Sequence, residues 1–152
     1  MAASAWQLDN KAKQSIGNGT ITLGAGVFKM VLARSASNAS TFTLSTYASV
    51  TNEISATGGY VTGGKNLVPA TGYWTVGASA KQYKFTMSTV GLAFTASGAS
   101  LTDIKYAILR NSTGAGAGKL LCFCQLSSSQ FTVTSPNTLT VLPAATGIFT
   151  LT

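Results

Sequence analysis

The side chains that most often carry out chemistry are few in this chain and far apart. Histidine is absent, and the only carboxylates are Asp9, Glu53 and Asp103. Without histidine there is no histidine-based triad or acid–base pair, and glycoside hydrolysis would require two of these distant carboxylates to converge. The sequence therefore predicts a protein that is not an enzyme and has no small-molecule substrate, in which Glu53 and Asp103 are turn or surface groups.

The two cysteines, Cys122 and Cys124, are one residue apart. On a strand they point to the same side, and they are too close in sequence for a comfortable disulfide. With no histidine and no second cysteine pair they supply too few ligands for zinc, and no cluster of oxygen ligands suits calcium. We therefore expect two reduced, buried thiols, no cofactor and no metal, in a protein made in a reducing compartment.

One glycine-rich segment has most of the spacing of a phosphate-binding loop, through Gly59, Gly64 and Lys65. Asn66 stands where that loop has the Ser or Thr that binds magnesium. Pro69 would break the helix that must follow. We interpret the segment as an extended chain crossing and not as a nucleotide site.

Charge is sparse and almost entirely positive. Lys and Arg number ten against three Asp and Glu, giving a formal net charge of +7, and no run or helical stripe concentrates the cations. This scatter favours a general preference for an acidic partner surface over a nucleic-acid site.

The low fraction of charged residues is a second feature of the composition that bears on function. Only 9% of the residues are charged, against about 25% in an ordinary soluble domain, so the polar surface must consist of Ser, Thr, Gly and Asn. Large permanent interfaces avoid buried charge, and this composition therefore favours a protein packed in an assembly. The alternative is a soluble β domain with an uncharged surface.

The secondary-structure elements predicted for this chain are mostly short strands. Alternating apolar and small polar residues predict about nine or ten of them between Thr20 and the end of the chain. The clearest pair is Ile104–Leu126, a glycine-rich hairpin in which both faces of each strand are apolar, so we expect both faces to be covered. We predict an all-β protein: an antiparallel β-sandwich or jelly-roll-like domain over residues 20–152.

Residues 1–19 are predicted to form a separate N-terminal arm with a short helix that ends near Gly17. This segment lacks the basic stretch followed by an apolar stretch that is typical of a secretory signal, and no apolar run in the sequence is long enough to span a membrane. Trp6 is either a lid on the domain's own core or an anchor for a neighbouring subunit, since tryptophan is enriched at interfaces. The candidate interaction residues of the arm are Trp6, Leu8, Lys11, Lys13 and Ile16.

Four segments that cover nearly the whole chain follow a recognisable pattern: ASAWQLDNKAKQSIGNGTITLGAG, NEISATGGYVTGGKNL, DIKYAILRNSTGAGAGKLLCFCQL and TLTVLPAATGIFTLT. The residues that carry the pattern are Gly59, Tyr60, Gly63, Gly64, Trp74, Tyr106, Ala107, Ile108, Gly147 and Ile148. In this arrangement the chain resembles a group of small structural proteins of tailed bacteriophages. It departs from the group at Ser127–Ser129, where an acidic or glycine turn is usual.

The resemblance implies a virion component, a capsid decoration or cement protein that is made in the host cytoplasm and lies on the capsid surface. Its partners would be the major capsid protein and copies of itself in a dimer or trimer, with no membrane involved. The alternative is a tail or fibre module that binds a receptor or glycan, with Tyr60, Tyr73 and Trp74 as a sugar platform. Aromatic residues on alternating strands are more often core residues.

Overall fold

The computed structural model describes residues 3–41, 43–67, 72–77, 79 and 81–151. They form antiparallel sheets with one short α-helix, so the prediction of an antiparallel all-β fold is confirmed. The helix is α1 (Asn10–Gly17), and single 3₁₀ turns lie at Tyr47–Ser49 and Gly114–Gly116. The strands are β1 (Gln7–Leu8), β2 (Phe28–Arg34), β3 (Lys65–Asn66), β4 (Trp74–Val76), β5 (Tyr83–Phe85), β6 (Leu92–Thr95), β7 (Leu101–Asn111), β8 (Leu120–Gln125), β9 (Phe131–Val133), β10 (Thr138–Val141) and β11 (Phe149–Leu151).

The predicted hairpin is the centre of the largest sheet. β7 and β8 pair antiparallel with Ile108 opposite Phe123, and their neighbours give the order β1-β8-β7-β2-β3, with β9 also paired to β7. The connection between β7 and β8 turns through Gly114 and Gly118, both at positive φ, which only glycine adopts readily. The largest sheet is therefore organised around the stretch with the strongest apolar alternation.

Both faces of this sheet are covered, as the apolar residues on each side predict. One face, which includes Met30 and Leu109, belongs to the main core, where the two cysteines also lie. The other face, which includes Val31 and Ile108, forms a smaller core with partly buried side chains of the 44–50 segment. Covering both faces explains why the paired stretches 107–109 of β7 and 120–124 of β8 consist of aliphatic, phenyl and thiol side chains.

Two smaller sheets complete the structure. β6 pairs with β10, and β5 lies between β4 and β11. The predicted strand at Ile21 and Leu23 is wrong, because the chain turns there and the Gly26 N–H donates to the Thr22 carbonyl at 2.9 Å. The strand predicted around Phe42 and Leu44 is likewise not formed by the described residues 41 and 43–45, and Phe42 itself lies outside them.

Candidate interaction surfaces

The N-terminal segment is paired into the large sheet. Gln7 of β1 lies opposite Phe123 of β8. The Asp9 N–H donates to the Leu121 carbonyl at 3.1 Å, and the Ser4 N–H donates to the Gln125 carbonyl at 2.8 Å. Helix α1 therefore begins only at Asn10, later than the helical spacing from Ala5 predicts, because the residues before it are extended along β8.

Packing divides the five candidate residues of this segment into two groups. Trp6, Leu8 and Ile16 are partly buried and pack against the main core, so Trp6 covers the chain's own apolar interior. Lys11 and Lys13 are exposed on α1. The structure thus brings the three apolar residues to one side and leaves the two lysines facing solvent, and contact of any of the five with a partner stays a prediction.

A groove of about 640 Å³ lies beside Trp6. Its walls are the start of the N-terminal segment, from Ala3, and the chain between Leu139 and Ile148. None of the described residues that line it is charged, and Leu142 on its rim is 57% exposed. The groove is a mainly apolar surface feature; Cys124 is among its lining residues, and burial raises the pKa of this thiol to about 12.

Asp9 is a buried carboxyl group at the junction between β1 and α1. It is 2% exposed, and its Oδ1 has no hydrogen-bond partner. It occupies the N-cap position of α1 without a side-chain capping bond. Burial disfavours the charged form, so the pKa of Asp9 is raised from 3.8 to about 7. This carboxyl contributes little negative charge to the protein surface.

Glu53 is the centre of a polar cluster on the side of the smaller core. Its carboxylate accepts hydrogen bonds from the Tyr47 hydroxyl, from the Tyr60 hydroxyl at 2.6 Å and from the Gly63 N–H at 2.7 Å. Arg110 donates from Nε and Nη2 to the Gly63 carbonyl and lies 4.4 Å above the Tyr47 ring. Each oxygen of Glu53 therefore has a partner, as expected of a structural carboxylate.

This cluster explains the glycine-rich segment that has phosphate-loop spacing. The Tyr60 hydroxyl also accepts the Leu32 N–H at 3.1 Å, which ties the segment to β2. Gly64 has φ +81°, and a Cβ there would lie 2.1 Å from the Met30 carbonyl oxygen. The glycines permit close approach of two backbones, and the pKa of Tyr60 is raised by burial and by its bond to Glu53.

The two cysteines are unpaired and buried in the main core. Burial raises the pKa of the Cys124 thiol to about 12 and places that of Cys122 well above its usual range. Because the thiolate is the reactive form, neither side chain is set up for nucleophilic chemistry or metal binding at neutral pH.

Of the three aromatic residues considered as a sugar platform, two are in the interior. Tyr60 and Tyr73 are buried, and Tyr73 packs at an edge-on angle against Phe28. Trp74 is partly exposed, but Tyr83 stacks on it with ring centroids 5.6 Å apart. The structure therefore does not bring the three rings together on one exposed face.

The sheet of β4, β5 and β11 has an apolar face made of two rows. In the first, which we call the inner row, Trp74, Phe85 and Phe149 lie side by side across the three strands. Phe85 is fully buried and stacks on Phe149 with centroids 5.2 Å apart. The inner row is therefore continuous with the main core.

The second row, which we call the outer row, extends past the core into solvent. It consists of Val76, Tyr83 and Leu151, which are directly opposite one another in the register and are 67%, 47% and 37% exposed. Directly opposite residues on an antiparallel sheet share a face. The outer row is thus a contiguous apolar surface, and it exists only because β4, β5 and β11 pair in this register.

Basic side chains lie on several elements, and Lys29 of β2 is directly opposite Arg110 of β7 in the large sheet. Lys11, Lys13, Lys65 and Lys81 are exposed, and Lys65 donates to the Ala93 carbonyl at 2.9 Å. The described residues contain no group of three or more His, Cys, Asp or Glu able to hold a metal ion. Among the same residues, no helix has the length and apolar character needed to cross a membrane.

Comparisons with known proteins leave these surfaces to be interpreted on their own physical terms. No family model, no curated protein and no solved structure matches this chain.

Proposed function

We propose that this chain is a non-enzymatic structural protein of a tailed-phage virion, a decoration or cement subunit that binds the major capsid protein shell and stabilises it. Its partners are the major capsid protein and copies of itself in a dimer or trimer on the capsid surface. The sandwich or jelly-roll-like arrangement of residues 20–152 is part of the same proposal.

The observation that carries the proposal is the opposite placement of acidic and basic side chains. Asp9 is buried, and Glu53 is bonded to two tyrosines and a backbone N–H, whereas the lysines of α1 are exposed. Asp103 is the remaining carboxylate and is partly exposed, so the exposed charge of the described residues is predominantly positive. Such a surface is attracted to an acidic one over a wide area, which favours fast and correctly oriented association.

Exposed apolar side chains support the proposal independently. Val61 and Val90 are 70% and 78% exposed, in addition to the outer row and Leu142. Single exposed apolar residues are ordinary, but several of them on a chain with few charges make a surface that costs little to desolvate. A protein whose partner is a large shell needs a surface of this kind.

The experiment that tests the proposal is a count of copies per purified particle of the phage that encodes this chain. We expect hundreds of copies by quantitative mass spectrometry, and heads that lack the protein should lose DNA at lower temperature than complete heads. A handful of copies, with intact heads and failed adsorption to cells, would instead support the tail or fibre module. Absence from the particle would refute both.

The two exposed lysines of α1 provide a test of the N-terminal segment. The double variant Lys11→Glu/Lys13→Glu should bind heads more weakly than the wild type while unfolding at the same denaturant concentration, because both side chains are exposed. Unchanged binding would remove this segment from the shell contact.

A further inference from the structure

The outer row is a contiguous apolar feature that the described part of the fold leaves partly uncovered. Its three members differ from isolated exposed residues because they lie side by side on neighbouring strands. Their exposed fractions decrease from Val76 to Leu151, and the adjacent inner row leads directly into the buried Phe85. The row is thus a continuation of the core that stops at the surface.

We propose that the outer row is the apolar centre of the contact through which this chain docks onto an acidic surface of the shell protein. This inference rests on the proposed function and adds to it the docking face and the chemistry of the partner.

The outer row is held rigid before any partner arrives. Tyr83 stacks on Trp74 with the ring planes 15° apart, and Trp74 in turn lies beside Phe149 with centroids 6.5 Å apart. Phe85 fixes this assembly to Tyr73 and Phe28 in the core. Ordered side chains lose little entropy on binding, and tyrosine is one of the residues enriched at interface hot spots.

Charges near the outer row are positive. Lys81 is exposed in the connection between β4 and β5, and Lys84 lies on the opposite face of the same small sheet, opposite Thr75 and Thr150. The sequence has no Asp or Glu between Glu53 and Asp103, or after Asp103. A partner that brings carboxylates to the rim of this face is therefore complementary to it in charge.

The same charges argue against a second copy as the occupant. Two copies meeting face to face through the outer row would bring Lys81 of each chain toward the other, and neither β4, β5 and β11 nor the β4–β5 connection contains an Asp or Glu. Three partly exposed side chains offer far less than the ~800 Å² per partner of a stable interface, so a contact with any partner must extend past the outer row. The outer row is thus the centre of a larger contact with a different, acidic protein.

The test measures binding to shells assembled from the purified major capsid protein of the phage that encodes this chain. The variant Val76→Ser/Leu151→Ser removes most of the apolar surface of the outer row and leaves the inner row intact. The matched control is Val90→Ser/Leu142→Ser, which changes the same residue types at exposed positions outside the small sheet. Both variants should unfold at the wild-type denaturant concentration, since all four side chains are exposed.

We expect the outer-row variant to bind shells at least tenfold more weakly and the control to stay within twofold of the wild type. Lys81→Glu should also weaken binding, whereas Lys65→Glu, an exposed lysine on β3, should do so less. Wild-type affinity should decrease as salt is raised, because the rim contacts are electrostatic.

Three outcomes would overturn the inference. Equal binding by the outer-row variant and its control refutes the outer row alone and leaves the proposed function standing. No binding of the wild type to shells refutes both. Concentration-dependent dimerisation in sedimentation that only the outer-row variant abolishes would assign the face to a second copy, in place of an acidic shell.

Discussion

The large sheet and the small sheet of β4, β5 and β11 show how the same alternating pattern leads to different environments. On β7, apolar residues of both faces are buried, because the main core covers one side and the 44–50 segment the other. On β5, Phe85 is buried while Tyr83, two residues away on the same face, is half exposed. Alternation thus predicts which residues share a face, but only the arrangement of neighbouring elements decides how far that face is covered.

The largest expected difference in stability is between substitutions in the inner row and substitutions in the outer row of the small sheet. Phe85→Ala should lower the free energy of unfolding by about 3–5 kcal/mol, as expected for a buried aromatic residue, because Phe85 contacts the rings of Phe28, Tyr73 and Phe149. Urea denaturation followed by tryptophan fluorescence measures this loss. Val76→Ala, on the neighbouring strand, should change stability by less than about 0.5 kcal/mol. A similar loss for both variants would show that the outer row is covered.

A second test concerns the close approach that covers the edge of the large sheet. Gly64→Ala should destabilise the protein by at least about 2 kcal/mol, because a left-handed conformation costs ~1–2 kcal/mol for alanine and the new Cβ also meets the Met30 carbonyl. Gly98→Ala is the matched control, since Gly98 has φ +75° and no atom within 4 Å of an added Cβ. Equal losses, measured by the same denaturation, would show that the clash is relieved without cost.

The buried carboxyl group of the N-terminal segment gives the large sheet a pH dependence that the small sheet lacks. The folded protein holds a proton on Asp9 up to a pKa of about 7, whereas the unfolded chain releases it near 3.8. The folded state therefore binds more protons between these values, and stability should fall as pH rises from about 4 to about 7. The slope cannot exceed about 1.4 kcal/mol per pH unit for one group.

Asp9→Asn should remove this slope and make the protein more stable than the wild type above pH 7. Denaturation at a series of pH values measures it. The buried Cys122 thiol interacts electrostatically with Asp9, and its raised pKa keeps it neutral across this pH range. If the free energy of unfolding of the wild-type protein instead rose between pH 4 and pH 7, this would contradict the burial of a neutral Asp9.

The smallest expected loss of stability comes from removing a buried tyrosine hydroxyl group, and removing an exposed one provides the comparison. Tyr60→Phe should cost about 1–3 kcal/mol, because Glu53 and the Leu32 N–H each lose a hydrogen-bond partner. Tyr83→Phe, in the outer row, should leave the denaturation midpoint unchanged, since its hydroxyl group has access to water. Equal midpoints for the two variants would mean that the Glu53 cluster does not hold the 53–64 segment in place.

Local patterns in the sequence predict the hairpin and the faces of individual strands well. The apolar stretch Ile104–Leu126 is the central pair, and its glycines form the connection, as predicted. Ile21 and Leu23 are buried as an alternating pattern suggests, but they reach the core from a turn, because no strand lies alongside them to pair with. Alternation reports burial more reliably than it reports extended structure.

Long-range pairing accounts for most of what the sequence does not reveal about the candidate surfaces. β11 pairs with β5 across more than sixty residues of chain, and nothing local to either strand indicates this partner. The outer row exists only through that pairing. Similarly, the position of Asp9 in an N-terminal segment rich in polar residues gives no sign that β8 will bury it.

The two outermost strands of the large sheet, β1 and β3, are only two residues long. An edge this short offers a neighbouring chain too few free backbone groups to start a continuous ladder, and Lys65 on β3 adds a charge that a second copy would have to approach. The large sheet can therefore be crowded against neighbouring copies without its edges starting a fibril.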